Sequence, residues 1–109
     1  MIDLADEHLA AVKEILAERM PEVEVRVFGS RIAGTAERFS DLDLVLVGDG
    51  RLDADGTEDL KDAFAESDLP FRVDVLDWHL LSENFRRLID RRFEVIQRRR
   101  PAEELDAGG

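Results

Sequence analysis

The chain contains no cysteine among its 109 residues. Neither a disulfide framework nor a thiolate metal site can form without that residue, and a reducing compartment suits such a sequence. No apolar run approaches the roughly 20 residues that a membrane-spanning helix needs, and the first residues lack the basic flank and apolar stretch of a signal peptide. We therefore expect one small, soluble, cytoplasmic domain that binds no membrane.

Positive charge is also scarce. The chain has 15 lysine and arginine residues against 26 aspartate and glutamate residues, which gives a formal net charge of −11. Because such a surface repels phosphate backbones, we expect no extensive nucleic-acid binding. The arginines are unevenly distributed, however, and seven of them lie between Arg86 and Arg100. This locally basic segment favours a self-complementary or partner-binding surface.

Two common nucleotide-binding motifs are missing as well. The chain has neither the Gly-Lys-Ser/Thr element of a Walker loop nor a dinucleotide fingerprint. His8 and His79 have no second ligand at metal-binding spacing, so we expect no histidine metal site. Any chemistry on phosphates must therefore come from other residues.

Hydrophobic periodicity predicts alternating helices and strands. Helical spacing indicates a first helix over residues 6–20 and a second over 57–67 that begins at Thr57. Alternation of apolar and polar residues indicates strands, which we place at residues 23–27, 41–47 and 71–77. A short helix over 31–37, capped by Ser30, follows the first strand.

The last helix opens at Ser82, and its predicted buried face consists of Phe85, Leu88, Ile89, Phe93 and Ile96. Residues 93–96 fit either the end of this helix or an edge strand, and the continuing helical period favours the helix. The order α-β-α-β-α-β-α predicts an α/β (α+β) domain with a small mixed sheet flanked by helices. We expect the domain to occupy residues 1–100 and residues 101–109 to be a disordered tail.

A Gly-Ser turn follows the first predicted strand. Gly29 permits close approach of an anion to the backbone. Ser30 offers a hydroxyl and an N–H at a predicted helix start, where the dipole favours phosphate. Arg31 can contact a phosphate or pair with an acid. A plain turn without function remains the alternative.

Two acids lie one residue apart at the start of the second predicted strand. Asp41 and Asp43 should point to the same face, roughly 6.5–7 Å apart. Leu42, Leu44 and Leu46 should point to the other face, into the core. Carboxylates at that separation can bind two cations about 3.5–4 Å apart, as in two-metal phosphoryl transfer. Mg²⁺ prefers such oxygen ligands. An isolated Asp-x-Asp pair is, however, more often a solvated strand face.

A third acid, Asp74, lies in the apolar third strand. An ionised carboxylate in such a segment needs a compensating cation. Arg26 or Arg72 could supply it in a structural ion pair, or a metal shared with Asp41 and Asp43 could do so. Asp74 alone leaves both alternatives open, and the three carboxylates together with the Gly-Ser turn favour the metal.

The pattern Gly29-Ser30-Arg31-x-x-Gly34-x5-Ser40-Asp41-x-Asp43-Leu44 resembles the signature of the DNA polymerase β-like nucleotidyltransferase superfamily. More narrowly, it is similar to the minimal nucleotidyltransferase (MNT) domains of bacteria and archaea. The segment 73–77 falls where that family carries its third carboxylate. The resemblance extends from the first helix to about Gln97.

The resemblance implies a role for each matching residue. Gly29 and Ser30, with Arg31 and Ser40, would bind the nucleotide. Asp41 and Asp43 would bind Mg²⁺, or alternatively Mn²⁺, as it bridges the phosphates. Asp74 would complete the second metal site and help to activate the attacking hydroxyl.

The resemblance also implies a partner. Minimal domains are similar to one half of two-component systems, in which the other half is a small all-helical protein, often of the HEPN type. The expected activity is transfer of a nucleoside monophosphate, with ATP favoured as the donor, to a hydroxyl on that partner in a hetero-oligomer, in some pairs as an antitoxin. The alternatives are a binding module that masks a helical partner, and the catalytic half of a two-component enzyme for small molecules.

Overall fold

Four strands and four α-helices follow one another in the computed structural model, which describes residues 2–37 and 39–99. The strands are β1 (Glu24–Phe28), β2 (Leu42–Val47), β3 (Val73–Asp77) and β4 (Glu94–Gln97). The helices are α1 (Asp6–Arg19), α2 (Ser30–Ala33), α3 (Ala54–Ala65) and α4 (Glu83–Arg91). Among the described residues, none of the helices combines the length and apolarity that crossing a membrane requires. The predicted tail over 101–109 lies outside the described residues.

The strands form one mixed sheet in the order β3-β2-β1-β4. Strand β1 runs antiparallel to both β2 and β4, whereas β2 and β3 are parallel. Parallel neighbours need a crossover connection, and α3 supplies it. The predicted fold class, a small mixed sheet flanked by helices, is confirmed.

The core lies between one face of the sheet and the helices α1 and α3. The three leucines of β2 that were expected to face inward, Leu42, Leu44 and Leu46, are all fully buried. They pack with apolar side chains of the two helices, among them Leu16 and Phe64. The opposite face of the sheet is therefore left for α4 and for the polar residues of β2 and β3.

The prediction that the last helix continues through residues 93–96 is wrong. Helix α4 ends at Arg91, and β4 pairs antiparallel with the outer edge of β1, placing Val95 beside Arg26. The side chain of Gln97 donates to the carbonyls of Met20 and Val23, at 2.9 Å each. The unpaired edge of β1 supplies backbone hydrogen-bond partners that the local helical period cannot anticipate.

The predicted buried face of α4 is only partly correct. Ser82 caps the helix as expected, accepting from the amide of Phe85 at 3.1 Å. Ile89 is buried, but Leu88 is 60% exposed and Phe85 is 38% exposed. Because α4 has only nine residues, it covers only part of this face of the sheet.

Several predicted boundaries also shift. Helix α3 begins at Ala54 and is capped by Asp53, which accepts from the amide of Gly56 at 3.2 Å, so the predicted start at Thr57 is wrong. Strand β2 begins at Leu42 and β3 at Val73. Helix α2 is a single turn with Gly29, not Ser30, at its N-cap.

Asp77 is a buried acid with a structural role. Its carboxylate accepts from the amide of Leu52 at 2.8 Å and from that of His79 at 3.0 Å. We expect Asp77→Ala to lower the free energy of unfolding by about 2 kcal/mol, because it leaves both amides without their acceptor. Urea denaturation measures this. Asp77→Asn, which keeps one acceptor oxygen, should lose less, and equal losses for both variants would contradict this role.

Candidate active site

A sharp turn at Gly29 joins β1 to α2. Its backbone angles, φ 82° and ψ −154°, lie in a region that is essentially restricted to glycine. A Cβ atom at this position would lie 2.3 Å from Oδ2 of Asp43. Glycine is therefore required at this position for two reasons. Other residues rarely adopt these backbone angles, and a side chain here would collide with the Asp43 carboxylate.

Asp43 and Asp74 lie side by side on the sheet. In the strand register, Asp43 is opposite Phe28 of β1 on one side and Asp74 of β3 on the other. Adjacent strands are about 4.8 Å apart, and paired residues point to the same face. Asp41 lies one residue before β2 and is exposed. The fold thus places two of the predicted acids on neighbouring strands and the third just before one of them.

The three carboxylates share one region of negative charge. Burial raises the pKa of Asp43, and the neighbouring charges of Asp74 and then Asp41 raise that pKa further. An excess of close negative charge disfavours ionisation and favours binding of a cation. The site is therefore electrostatically suited to a divalent ion.

The donor set fits Mg²⁺ that arrives with a nucleotide. Within residues 2–37 and 39–99, no three acidic or histidine side chains converge closely enough to hold an ion by themselves. Mg²⁺ is commonly bound by one or two carboxylates, with water and substrate phosphates completing the shell. Asp43 and Asp74, with Asp41 nearby, match that arrangement better than a closed protein cage.

The counter-charge of Asp74 is Arg72. Its Nε lies 3.0 Å from Oδ1 of Asp74, and among the ion pairs of the described residues no other one involves any of the three carboxylates. Arg26, the other cation considered from the sequence, pairs with Glu24 at 2.6 Å and with Asp90 at 3.5 Å. Because the Arg72 side chain is 76% exposed, this ion pair leaves the carboxylate accessible.

Arg31 and Ser40 order the loop that leads to Asp41. Arg31 is buried and donates to the carbonyls of Asp3 and Ser40, at 2.8 Å each. The hydroxyl of Ser40 accepts from the amide of Glu37 at 2.7 Å. In these contacts both residues stabilise the loop, and their direct contact with a nucleotide stays a prediction.

An open cavity of about 800 Å³ extends along β3 beside the acids. Its lining combines Asp43 and Asp74 with apolar side chains, including Phe28 and Phe85, which pack edge-to-face at 6.0 Å between ring centroids. The volume is typical of a small-molecule site. Lys61 also lines the cavity. Neither Lys61 nor Phe85 was predicted here, because nothing in the sequence distinguishes them from ordinary surface and core residues.

The family model of the nucleotidyltransferase domain matches residues 9–102, most of the chain. The chain belongs to the nucleotidyltransferase domain family. This nucleotidyltransferase is similar to the probable protein adenylyltransferase MntA of Haemophilus influenzae. The two are 48% identical over 96 residues, which cover 88% of this chain and 84% of that protein.

Solved structures share the fold of this nucleotidyltransferase. A crystal structure of a toxin–antitoxin with AMP-PNP matches with a TM-score of 0.69 at 24% identity, over 93% of this chain and 80% of that one. A structure of a tri-AMPylated Shewanella oneidensis HEPN toxin in complex with an MNT antitoxin matches with a TM-score of 0.64 at 19% identity, over 91% of this chain and 76% of that one. The resemblance to minimal nucleotidyltransferase domains is confirmed.

Proposed function

We propose that this chain transfers AMP from ATP to a hydroxyl on a small helical partner protein of the HEPN type, and so acts as the antitoxin of the pair. The observation that carries the proposal is the pairing of Asp43 with Asp74 against the Gly29 turn. A relative with 48% identity described as a probable protein adenylyltransferase supports the choice of AMP and of a protein acceptor. We expect the reaction to take place in the cytoplasm, where ATP is available.

The donor would bind across the Gly29 turn and the cavity. The absence of a side chain at Gly29 lets a phosphate approach the backbone closely. The hydroxyl of Ser30 would bind the same triphosphate. Among the described residues, this hydroxyl neither donates nor accepts a hydrogen bond. The adenine would lie in the apolar part of the cavity against Phe28 and Phe85, since every base offers a face for stacking on an aromatic ring.

Asp41, Asp43 and Asp74 would hold Mg²⁺, and Mn²⁺ would bind to the same oxygen ligands. When bound, Mg²⁺ neutralises phosphate charge and stabilises the charge that develops in the transition state. The protein's own part is to fix these carboxylates. The parallel register aligns Asp43 with Asp74, and the Gly29 turn limits where the Asp43 carboxylate can lie.

In the proposed reaction, the hydroxyl oxygen of the acceptor forms a new bond to the α-phosphorus of ATP. The bond between that phosphorus and the oxygen leading to the β-phosphorus breaks in line, and pyrophosphate leaves. Asp74 accepts the proton of the attacking hydroxyl. Catalysis then depends mainly on positioning and on charge neutralisation.

Intact-mass analysis tests this function. The chain is mixed with a candidate HEPN-type protein from the same genome, Mg²⁺ and each nucleoside triphosphate in turn. We expect one or more AMP adducts on the partner with ATP, and none with the Asp43→Asn variant. A stable complex without any adduct would instead favour the binding module, and transfer only to an added small molecule would favour the two-component enzyme.

A further inference from the structure

We propose that Arg72 is an exchangeable counter-ion. It holds Asp74 before metal and nucleotide bind, and its guanidinium then leaves Asp74 and contacts the phosphates of the donor. This inference rests on the proposed nucleotidyl transfer at the same site. It makes Arg72 a participant in the reaction rather than an ordinary surface residue.

In this ion pair the backbone of Arg72 is held in place, whereas its side chain is able to move. The carbonyl of Arg72 accepts from the amide of Leu42 at 2.9 Å, which fixes its backbone beside the start of β2. The Arg72 side chain is nevertheless 76% exposed, whereas the Asp74 side chain is 33% exposed. The guanidinium can therefore change partners through rotation of its own side chain, with the strands left in place.

A second anion would lie within reach of this side chain. Arg72 lines the same cavity as Asp43 and Asp74, in which the donor phosphates are proposed to bind. A guanidinium binds phosphate oxygens in a bidentate manner that suits its planar shape. Arg72 can thus exchange the carboxylate for a phosphate without leaving the cavity.

The charges favour such an exchange. An exposed ion pair is weak, so it yields readily to a stronger cation. Without a metal, Arg72 offsets one charge of the three carboxylates. Once Asp74 is bound to a divalent ion, the guanidinium is no longer needed there and is repelled by the added positive charge, while the incoming phosphates attract it.

The proposal predicts opposite effects on metal affinity and on transfer. In Arg72→Met, loss of the competing cation should tighten binding of Mn²⁺ by about two- to five-fold. The same variant should lose about 10- to 100-fold in kcat for AMP transfer, because a charge-assisted contact to the phosphates is gone. Arg72→Lys, which keeps the charge, should retain the metal affinity of the wild type and recover part of the transfer.

Mn²⁺ affinity is measured with the metal alone, without nucleotide, from the loss of the free-ion signal in electron paramagnetic resonance. Asp74→Asn, which should bind Mn²⁺ more weakly, shows that the titration reports on this site. Arg87→Met is the matched control, because Arg87 and Glu83 form an exposed ion pair of 3.1 Å on α4. It should leave Mn²⁺ affinity unchanged. Thermal melting of each variant verifies folding.

Two results would overturn the proposal. Weaker Mn²⁺ binding in Arg72→Met would mean that Arg72 permanently orients Asp74, and unchanged affinity together with unchanged transfer would mean an inert surface pair. If the wild type transfers no AMP to any partner but Arg72→Met still binds Mn²⁺ more tightly, the transfer proposal fails while the counter-ion role of Arg72 stands. The two proposals are thus tested separately.

Discussion

If the proposed AMP transfer and metal site are correct, replacing Asp43 by asparagine is expected to lower transfer by at least about a thousand-fold, because losing one of the carboxylates proposed to bind Mg²⁺ removes several kcal/mol of transition-state stabilisation. The fold should remain intact. Asparagine has nearly the same shape, and Asp43 lies on the face of the sheet opposite the main core. Quantitative mass spectrometry of the AMP adduct on the partner measures the loss.

The same variant should be more stable than the wild type in metal-free buffer at neutral pH. The pKa of Asp43 is raised in the folded protein, first by burial and then by Asp74 and Asp41. The folded state therefore holds this proton more tightly than the unfolded state. The resulting stability is present below the unfolded value of 3.8 and is lost as the pH rises through the folded pKa.

Asparagine does not titrate, so the difference in melting temperature between Asp43→Asn and the wild type should grow from acidic to neutral pH. Addition of Mg²⁺ should reduce that difference, because a metal bound at the proposed site would stabilise only the ionised carboxylate of the wild type. A variant that melts below the wild type at neutral pH without metal would show that Asp43 is needed for folding.

Gly29→Ala is expected to impair both folding and transfer. The backbone conformation at Gly29 should cost about 1–3 kcal/mol for any other residue, and the added Cβ would lie 2.3 Å from the Asp43 carboxylate. Displacing that carboxylate by about 1 Å is enough to lower the rate by about 100-fold. Denaturant unfolding and adduct formation by the folded fraction measure the two effects.

Gly34→Ala is the matched control for this substitution. Gly34 also has a positive φ, 81°, but among residues 2–37 and 39–99 nothing lies within 4 Å of the position that its Cβ would occupy. Alanine should cost about 1 kcal/mol there through backbone strain alone, and transfer should stay near the wild-type rate. Equal loss of transfer in both variants would mean that backbone strain, and not contact with Asp43, explains the effect at Gly29.

Local patterns predicted the parts of the fold that depend on local physics. Alternating valines and leucines indicated β1 and β2, because period-two alternation places one face of a strand in the core. Helical spacing indicated α1 and α3, because apolar residues three or four positions apart lie on one face of a helix, which packs against the core. The largest error at the ends of these elements is the start of α3, which is capped by Asp53 instead of beginning at Thr57, because several polar residues compete there for the same amides.

Features that depend on contacts between residues far apart in the chain were predicted less well. The segment 93–96 has both helical and strand character, and the free edge of β1 decided between them. Phe85 is apolar and has the spacing of a core residue, yet in the short helix α4 it lines the cavity beside the acids. For Asp74 the sequence left open an ion pair with Arg26 or Arg72 and a shared metal, and among the ion pairs of the described residues the sheet brings Arg72 to this carboxylate.

The sequence by itself determined the residue types of the candidate site, its family and its phosphate chemistry. The Gly-Ser turn and the Asp-x-Asp pair lie within one short segment, residues 29–43, so their residue types and spacing can be read directly from the sequence. Only the tertiary structure decided that Asp43 pairs with Asp74, that Gly29 touches the Asp43 carboxylate and that Arg72 is the counter-ion. These contacts depend on strand order and register, which arise from packing across the whole domain and not from any local pattern.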